Sequence, residues 1–222
     1  VGVFLHPSSW PDQDLVSFST GLDESLVVEG YATGAFPMPL GGVGPRDGEP
    51  LIAWYSPVRR GILPLDGMRV TRSLRKSAKR YAITTDTAFE QVLDGCADER
   101  REGGWIDDDI RRTYRALFRR GLAHSVEAWG PGGRLVGGLY GVGLGGLFAG
   151  ESMFHDPEHG RDASKAALLA LVGILGGDGR PRLLDVQWRT DHLGSLGVIE
   201  IPRAEYLQRL AVALELPAPA WP

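Results

Sequence analysis

The chain has 222 residues, 24 Lys and Arg against 28 Asp and Glu, and a formal net charge of −4 at pH 7. That length holds one large domain, or one with a small companion, and 43% hydrophobic with 23% charged residues is the composition of a globular protein. A lone Cys96 excludes an internal disulfide and a cysteine zinc cluster, no apolar run nears the roughly 18 residues that span a bilayer, and the net charge by itself argues against a nucleic-acid partner.

The opening VGVFLHPSSW has no basic stretch leading into an apolar one, so no secretory signal is expected and the cytoplasm is the expected compartment. Residues 1–65 are rich in proline and glycine with short apolar pieces, LIAWYS and RGILPL, and read as a small, loop-rich α+β domain. Within it, LGGVGPRDGEP carries the turn residues of an exposed loop.

From residue 66 to 222 the punctuation is more regular. Thr71 is placed to cap a short basic helix, and YAITT follows as a strand. Asp86 or Thr87 is the expected cap of AFEQVLDGCADERR, whose Phe89, Val92, Leu93 and Cys96 recur at helical spacing. DDDIRRTYRALFRRG has acids in its first turn, arginines in its last and Gly121 as its stop. AHSVEAW, RLVGGLYGV and GLFAGESMF read as strands, the last two joined by a glycine turn. DASKAALLALVGILGG is apolar nearly all round and predicts a buried helix. RLLDVQW predicts a strand, TDHLGSLG a short capped helix, VIEI a final strand, and Pro202 opens the closing helix. The order β-α-α-β-β-β-α-β-α-β from residue 81 is that of an acetyltransferase-like (GNAT-type) mixed sheet. The fold class is α+β.

Two motifs mislead. GVGLGG satisfies the dinucleotide pattern G-x-G-x-x-G, but strand rather than helix follows it, so its glycines serve the turn and close backbone approach. HDPEHGRDASK offers histidines and carboxylates, but Pro157 and Gly160 make it a loop without zinc spacing, and no metal is expected. The same loop lacks the pyrophosphate cradle of acyl-CoA enzymes, which disfavours coenzyme A. No G-x-x-x-x-G-K-[ST] is present, so no ATP-driven step is implied.

Three polar residues carry the chemistry. In a strand, Asp185 and Gln187 share one face. The aspartate is then expected to accept the glutamine's amide N–H and aim its carbonyl oxygen at an incoming N–H, unless the two form a satisfied core pair. Glu151 lies among glycines, aromatics and a methionine, where an unpaired carboxylate costs several kcal/mol, so a cation is the expected partner. Basic residues are clustered: RVTRSLRKSAKR, from Arg69 to Arg80, holds six and no acid, and RRTYRALFRR adds five arginines. Such blocks mark a polyanion site or are solvated helix faces.

With GAFPM, WYSPVRRGIL, HSVEAW, LVGGLYGV, GESMF, ASKAAL, LLDVQ and HLGSLG collinear over residues 31 to 206, the chain resembles the bacterial leucyl/phenylalanyl-tRNA–protein transferases. The resemblance implies a small N-terminal domain and an acetyltransferase-like C-terminal one. It implies transfer of Leu or Phe, and Met more weakly, from aminoacyl-tRNA to an N-terminal Arg or Lys, marking the acceptor for degradation. The chain departs from the family at Tyr55, at His155, at Asp162 before ASK, and at Val186. These departures touch the substrate pocket and the acceptor rim.

Aminolysis of an activated ester needs no cofactor, so none is expected. Asp185 and Gln187 are then the positioning and relay pair, and Glu151 receives either the acceptor's basic side chain or the donor's amino group. Phe148, Met153, Leu168, Leu171 and Leu184 are candidates for an apolar donor pocket or for plain core. Trp54, Trp105 and Tyr114 are candidates to stack on the terminal adenosine or, again, core. Arg111, Arg115 and Arg119 form one helical stripe and, with Arg69, Arg72, Arg75 and Lys76, are candidate tRNA contacts. Two rivals remain: an N-acyltransferase of the same fold with another donor, and a non-catalytic RNA- or N-terminus-binding module.

Overall fold

A computed structural model describes residues 3–43, 50–98 and 106–222. The described chain begins with β1 (Leu15–Thr20), α1 (Glu24–Thr33), β2 (Phe36–Val43) and β3 (Pro50–Tyr55). Asp23 caps α1 by accepting from Leu26 N–H, and Gly34 ends it at a left-handed φ of 96°. The three strands form an antiparallel sheet in the order β1-β3-β2. The loop expected over LGGVGPRDGEP is partly strand, since β2 runs to Val43 and β3 starts at Pro50; residues 44–49 lie outside the described residues.

The larger sheet takes β4 (Arg59–Ile62), β5 (Ala82–Thr85), β6 (Ala123–Trp129), β7 (Leu135–Leu144), β8 (Leu147–His155), β9 (Leu183–Asp185) and β10 (Ile199–Pro202). Its order is β10-β4-β9-β8-β7-β6-β5. The chain is therefore a mixed α/β fold, with β8 and β9 parallel and the other described pairs of this sheet antiparallel. β4 comes from the segment read as N-terminal domain, yet it is a strand inside this sheet. There it pairs with β10 and β9, Ile62 is buried, and the fully buried Arg60 meets its counter-ion, Asp185 of β9.

The helices are α2 (Arg72–Ala78), α3 (Phe89–Cys96), α4 (Asp108–Arg119), α5 (Ala163–Gly176), α6 (Asp191–Ser195) and α7 (Arg203–Leu214). Strand alternation divides the core between the two faces of the sheet. Tyr140 and Val142 pack with α1, α3, α4 and α7 through Tyr31, Phe89, Tyr114 and Tyr206. Leu139, Phe148 and Leu184 pack with Leu168, Leu171 and Leu175 of α5. Each such leucine, fully buried, contributes roughly 1.5–3 kcal/mol.

Thr71 and Thr190 cap α2 and α6 through their side chains, as the sequence predicts, and Asp107, the first of the three acids expected in the first turn of α4, is its cap. α3 differs. Its N-cap is Ala88 with no side-chain bond, because the Asp86 carboxylate is spent on the Ser125 N–H and the His124 ring. The glycine turn between β7 and β8 has Gly145 at φ +56°, where backbone oxygens of residues 213–216 stand within about 3 Å of where a Cβ would be. The predicted strand RLLDVQW stops early, at Asp185, for a reason that belongs to the site.

Candidate active site

β8 and β9 pair only from Leu147↔Leu183 to Ala149↔Asp185. β8 then continues to His155 while β9 has ended, so the sheet opens at that point. A cavity of about 980 Å³ lies at this opening, lined by the apolar Met153, Leu168, Leu171 and Leu184 and by Glu151 and Gln187. His155, Arg161, Lys165 and His192 also line it.

Glu151 lines the cavity from a register shift in β8. Tyr140 pairs with Ser152 and Gly141 with Gly150, which leaves Glu151 as the extra residue of a β-bulge. Its carboxylate is not unpaired. Tyr31 of α1 donates to Oε1, Tyr114 of α4 donates to Oε2 at 2.9 Å, and the Gln187 amide nitrogen lies 3.4 Å from Oε1. Burial pushes the Glu151 pKa up, the two phenol hydrogen bonds pull it back, and it settles at about 7. Burial and the adjacent carboxylate hold both tyrosines well above their ordinary value, so they stay hydrogen-bond donors.

Beneath it lies a second, fully buried group. Arg60 grips Asp185 with two parallel bonds, Nε to Oδ1 at 2.8 Å and Nη2 to Oδ2 at 2.6 Å. Tyr206 donates to Asp185 Oδ2 at 2.9 Å, and Arg60 Nη1 donates to the Gly34 carbonyl at 3.1 Å. Burial disfavours the guanidinium charge, but Asp185 outweighs it and raises the Arg60 pKa above its ordinary value. The rings of Phe36 and Tyr206 lie 4.8 and 4.4 Å from its Cζ. Asp185 Oδ1 also accepts the backbone N–H of Gln187 at 3.0 Å, and Gln187 has φ +60°. This left-handed residue breaks the strand and corrects the side-chain pairing expected from strand alternation: Asp185 holds the glutamine's main chain, while its carboxamide turns to Glu151.

A model of the family described as leucyl/phenylalanyl-tRNA protein transferase matches residues 62–211. The chain belongs to this family. Proteins named leucyl/phenylalanyl-tRNA–protein transferase from Afipia carboxidovorans and Roseobacter denitrificans are 45% and 48% identical over 90% and 89% of this chain, covering 86% and 89% of their own lengths. One from Herpetosiphon aurantiacus is 47% identical over 89% of this chain and 97% of its own. Among solved structures, L-PGS from Bacillus licheniformis aligns with a TM-score of 0.40 and 11% identity over 81% of this chain and 57% of that one, too distant to carry an argument.

Of the candidates from sequence, Glu151, Gln187, Met153, Leu168, Leu171 and Leu184 line the cavity, Asp185 is buried behind Gln187, and the remaining ones lie elsewhere. Phe148 is core beside Leu184 rather than cavity wall, 1% exposed and near Trp221. Trp54 is fully buried with its indole N–H on Ser19, so no base can stack on it. Tyr114 is equally buried and is a hydrogen-bond donor to Glu151 instead. Trp105 lies outside the described residues. On α4, Arg111 and Arg115 form surface ion pairs with Asp94 and Glu90 of α3, and Arg119 is the most exposed of that stripe. Arg69, Arg72, Arg75 and Lys76 are all exposed. Tyr31, Arg60 and Tyr206 were missed. The signals available were an arginine opening the apolar run RGILPL and an aspartate inside LLDV; their pairing is not local.

Among the described residues, no three His, Cys, Asp or Glu side chains are grouped to hold a metal ion, and no helix is long and apolar enough to cross a membrane.

Proposed function

We propose that this chain, a cytoplasmic enzyme with an acetyltransferase-like sheet, transfers Leu or Phe, and Met more weakly, from aminoacyl-tRNA to the N-terminal Arg or Lys of a protein and so marks it for degradation. The parting of parallel β8 and β9 supports the fold assignment. The observation that carries the reaction is the cavity itself: apolar side chains together with a carboxylate and a carboxamide nitrogen 3.4 Å from it.

The donor side chain enters the apolar wall. Such a wall separates ligands that differ by a methylene by only about 1–3 kcal/mol, and Met153 repacks readily, which suits a site accepting Leu, Phe and Met together. With its nitrogen directed at Glu151, the Gln187 carboxamide offers its oxygen to the N–H of the attacking amine. An N-terminal amine has an ordinary pKa near 8, so a useful fraction is unprotonated at neutral pH. The amine nitrogen then bonds to the ester carbonyl carbon, the carbon–oxygen bond to the ribose breaks, and the amine's proton ends on the released ribose oxygen. Alignment of the two reactants accounts for roughly 7–11 kcal/mol of the barrier.

Glu151 receives the basic side chain of the acceptor's first residue. Its pKa of about 7 falls when a cation arrives, so binding itself completes its ionisation. The exposed cations of α2, with Arg161 and Lys165 at the cavity, provide a path for tRNA phosphates.

The test is transfer of radiolabelled Leu from Leu-tRNA to an Arg-initiated peptide without ATP or coenzyme A, with Lys- and Ala-initiated peptides in parallel. Label on the two basic-initiated peptides alone is the expected result. No transfer with tRNA still bound refutes the enzyme reading and leaves a binding module.

A further inference from the structure

The left-handed backbone of Gln187 is pinned at both of its polar groups, and both pins originate on β4. Its N–H donates to Asp185 Oδ1 at 3.0 Å, and that oxygen is itself fixed by Arg60 Nε at 2.8 Å. Its carbonyl accepts the Gly61 N–H at 2.8 Å, and the Val186 N–H donates to the Gly61 carbonyl at 3.0 Å. Gly61 can do this because it has no side chain: a Cβ there would lie 2.9 Å from Arg189 N and 3.0 Å from Trp188 C. A non-glycine residue at φ +60° is unfavourable and persists where its surroundings over-determine it.

We propose that Arg60 and Gly61 are positioning residues for Gln187: they hold its main chain left-handed, through Asp185 on one side and directly on the other, and so fix where its carboxamide stands beside Glu151. On this account Asp185 acts on the backbone of Gln187 rather than on its side-chain amide, and Arg60 is required because the aspartate must be held in one place while fully buried. The third hold on Asp185 is the Tyr206 hydroxyl, 2.9 Å from Oδ2. Released from these pins, residues 186–188 return to an extended path and swing the carboxamide away from Glu151. The proposal rests on the reading that Gln187 serves the transfer.

The test is a double-mutant cycle in the full chain, read as kcat and KM for Leu transfer to an Arg-initiated peptide, with thermal unfolding recorded for each protein. Arg60→Lys keeps the charge but loses the two-pronged grip. Tyr206→Phe removes the hydroxyl that donates to Asp185 and accepts from Arg60 Nη2 while keeping the ring, and it carries the test should Arg60→Lys fail to fold. Each is expected to lower kcat, Arg60→Lys by about 10- to 100-fold and Tyr206→Phe by less, with KM for both substrates little changed. Combined with Gln187→Ala, neither should lower kcat beyond Gln187→Ala alone, because a residue that acts through Gln187 has nothing left to position. Losses that multiply in the double variants overturn the proposal. A Gln187→Ala enzyme at the wild-type rate also overturns it, and that single variant shows that the fault lies with the role given to Gln187 rather than with the pins.

Discussion

A carboxylate that titrates near neutrality ties the stability of this protein to pH. In the unfolded chain Glu151 has its ordinary pKa of 4.5, and in the folded chain about 7, raised chiefly by burial. The folded state therefore binds more protons across that window, and stability from this group is fully present below about pH 4.5 and lost as pH rises through 7. At 1.36 kcal/mol per unit the loss reaches about 3 kcal/mol. Glu151→Gln removes the titration, so denaturant unfolding should show the variant gaining about 3 kcal/mol on the wild type between pH 4.5 and 8. Parallel pH dependence of the two proteins would mean that burial does not hold the proton on Glu151. The residue itself was legible in sequence as a charge in an apolar setting. Its tyrosine partners were not, because Tyr31 lies 120 residues away and nothing local distinguishes it from a core tyrosine.

At the scale of elements, periodicity located the helices and strands well, since amphipathic spacing and caps are local signals. Thr71 and Thr190 cap their helices where expected. What failed depended on pairing across the sheet. The bulge at Glu151 exists only in the register of β8 against β7, and the strand end at Asp185 coincides with the bonds that Arg60 and Gly61 of β4 make to residues 185–187. The arginine stripe of α4 failed differently: helical spacing showed that Arg111 and Arg115 share a face, but not that Glu90 and Asp94 of α3 would meet it. This yields a contrast between two basic helices. Replacing Arg72, Arg75 and Lys76 of α2 with glutamine should weaken tRNA binding and flatten its dependence on salt by about 0.7–0.9 for each phosphate no longer neutralised. The pair Arg111→Gln and Arg115→Gln should leave that slope unchanged. Filter binding across a salt series decides it, and equal slopes for the α2 variant and the wild type would remove α2 from the RNA path.

Taken whole, the molecule is arranged around the opening between β8 and β9. Helices α1 and α4 send tyrosines to one carboxylate, β4 and α7 send Arg60 and Tyr206 to the other, and α5 supplies the apolar wall. The chain before residue 66 is thus built into the site: α1 brings Tyr31, β4 brings Arg60 and β2 lays Phe36 against the guanidinium. Composition separated this segment from the rest by its prolines and glycines, but it could not show that a strand of the segment lies inside the large sheet. The central claim is that Glu151, at the head of the cavity, selects the acceptor by its charge. The most direct measurement compares kcat/KM for Arg-, Lys- and Ala-initiated peptides in the wild type and in Glu151→Lys, with Leu-tRNA affinity measured alongside. The account predicts that charge reversal abolishes the preference for Arg and Lys over Ala while Leu-tRNA still binds. A Glu151→Lys enzyme that keeps its preference for Arg-initiated peptides, or that instead loses Leu-tRNA binding, would contradict it, the latter result assigning Glu151 to the donor's amino group.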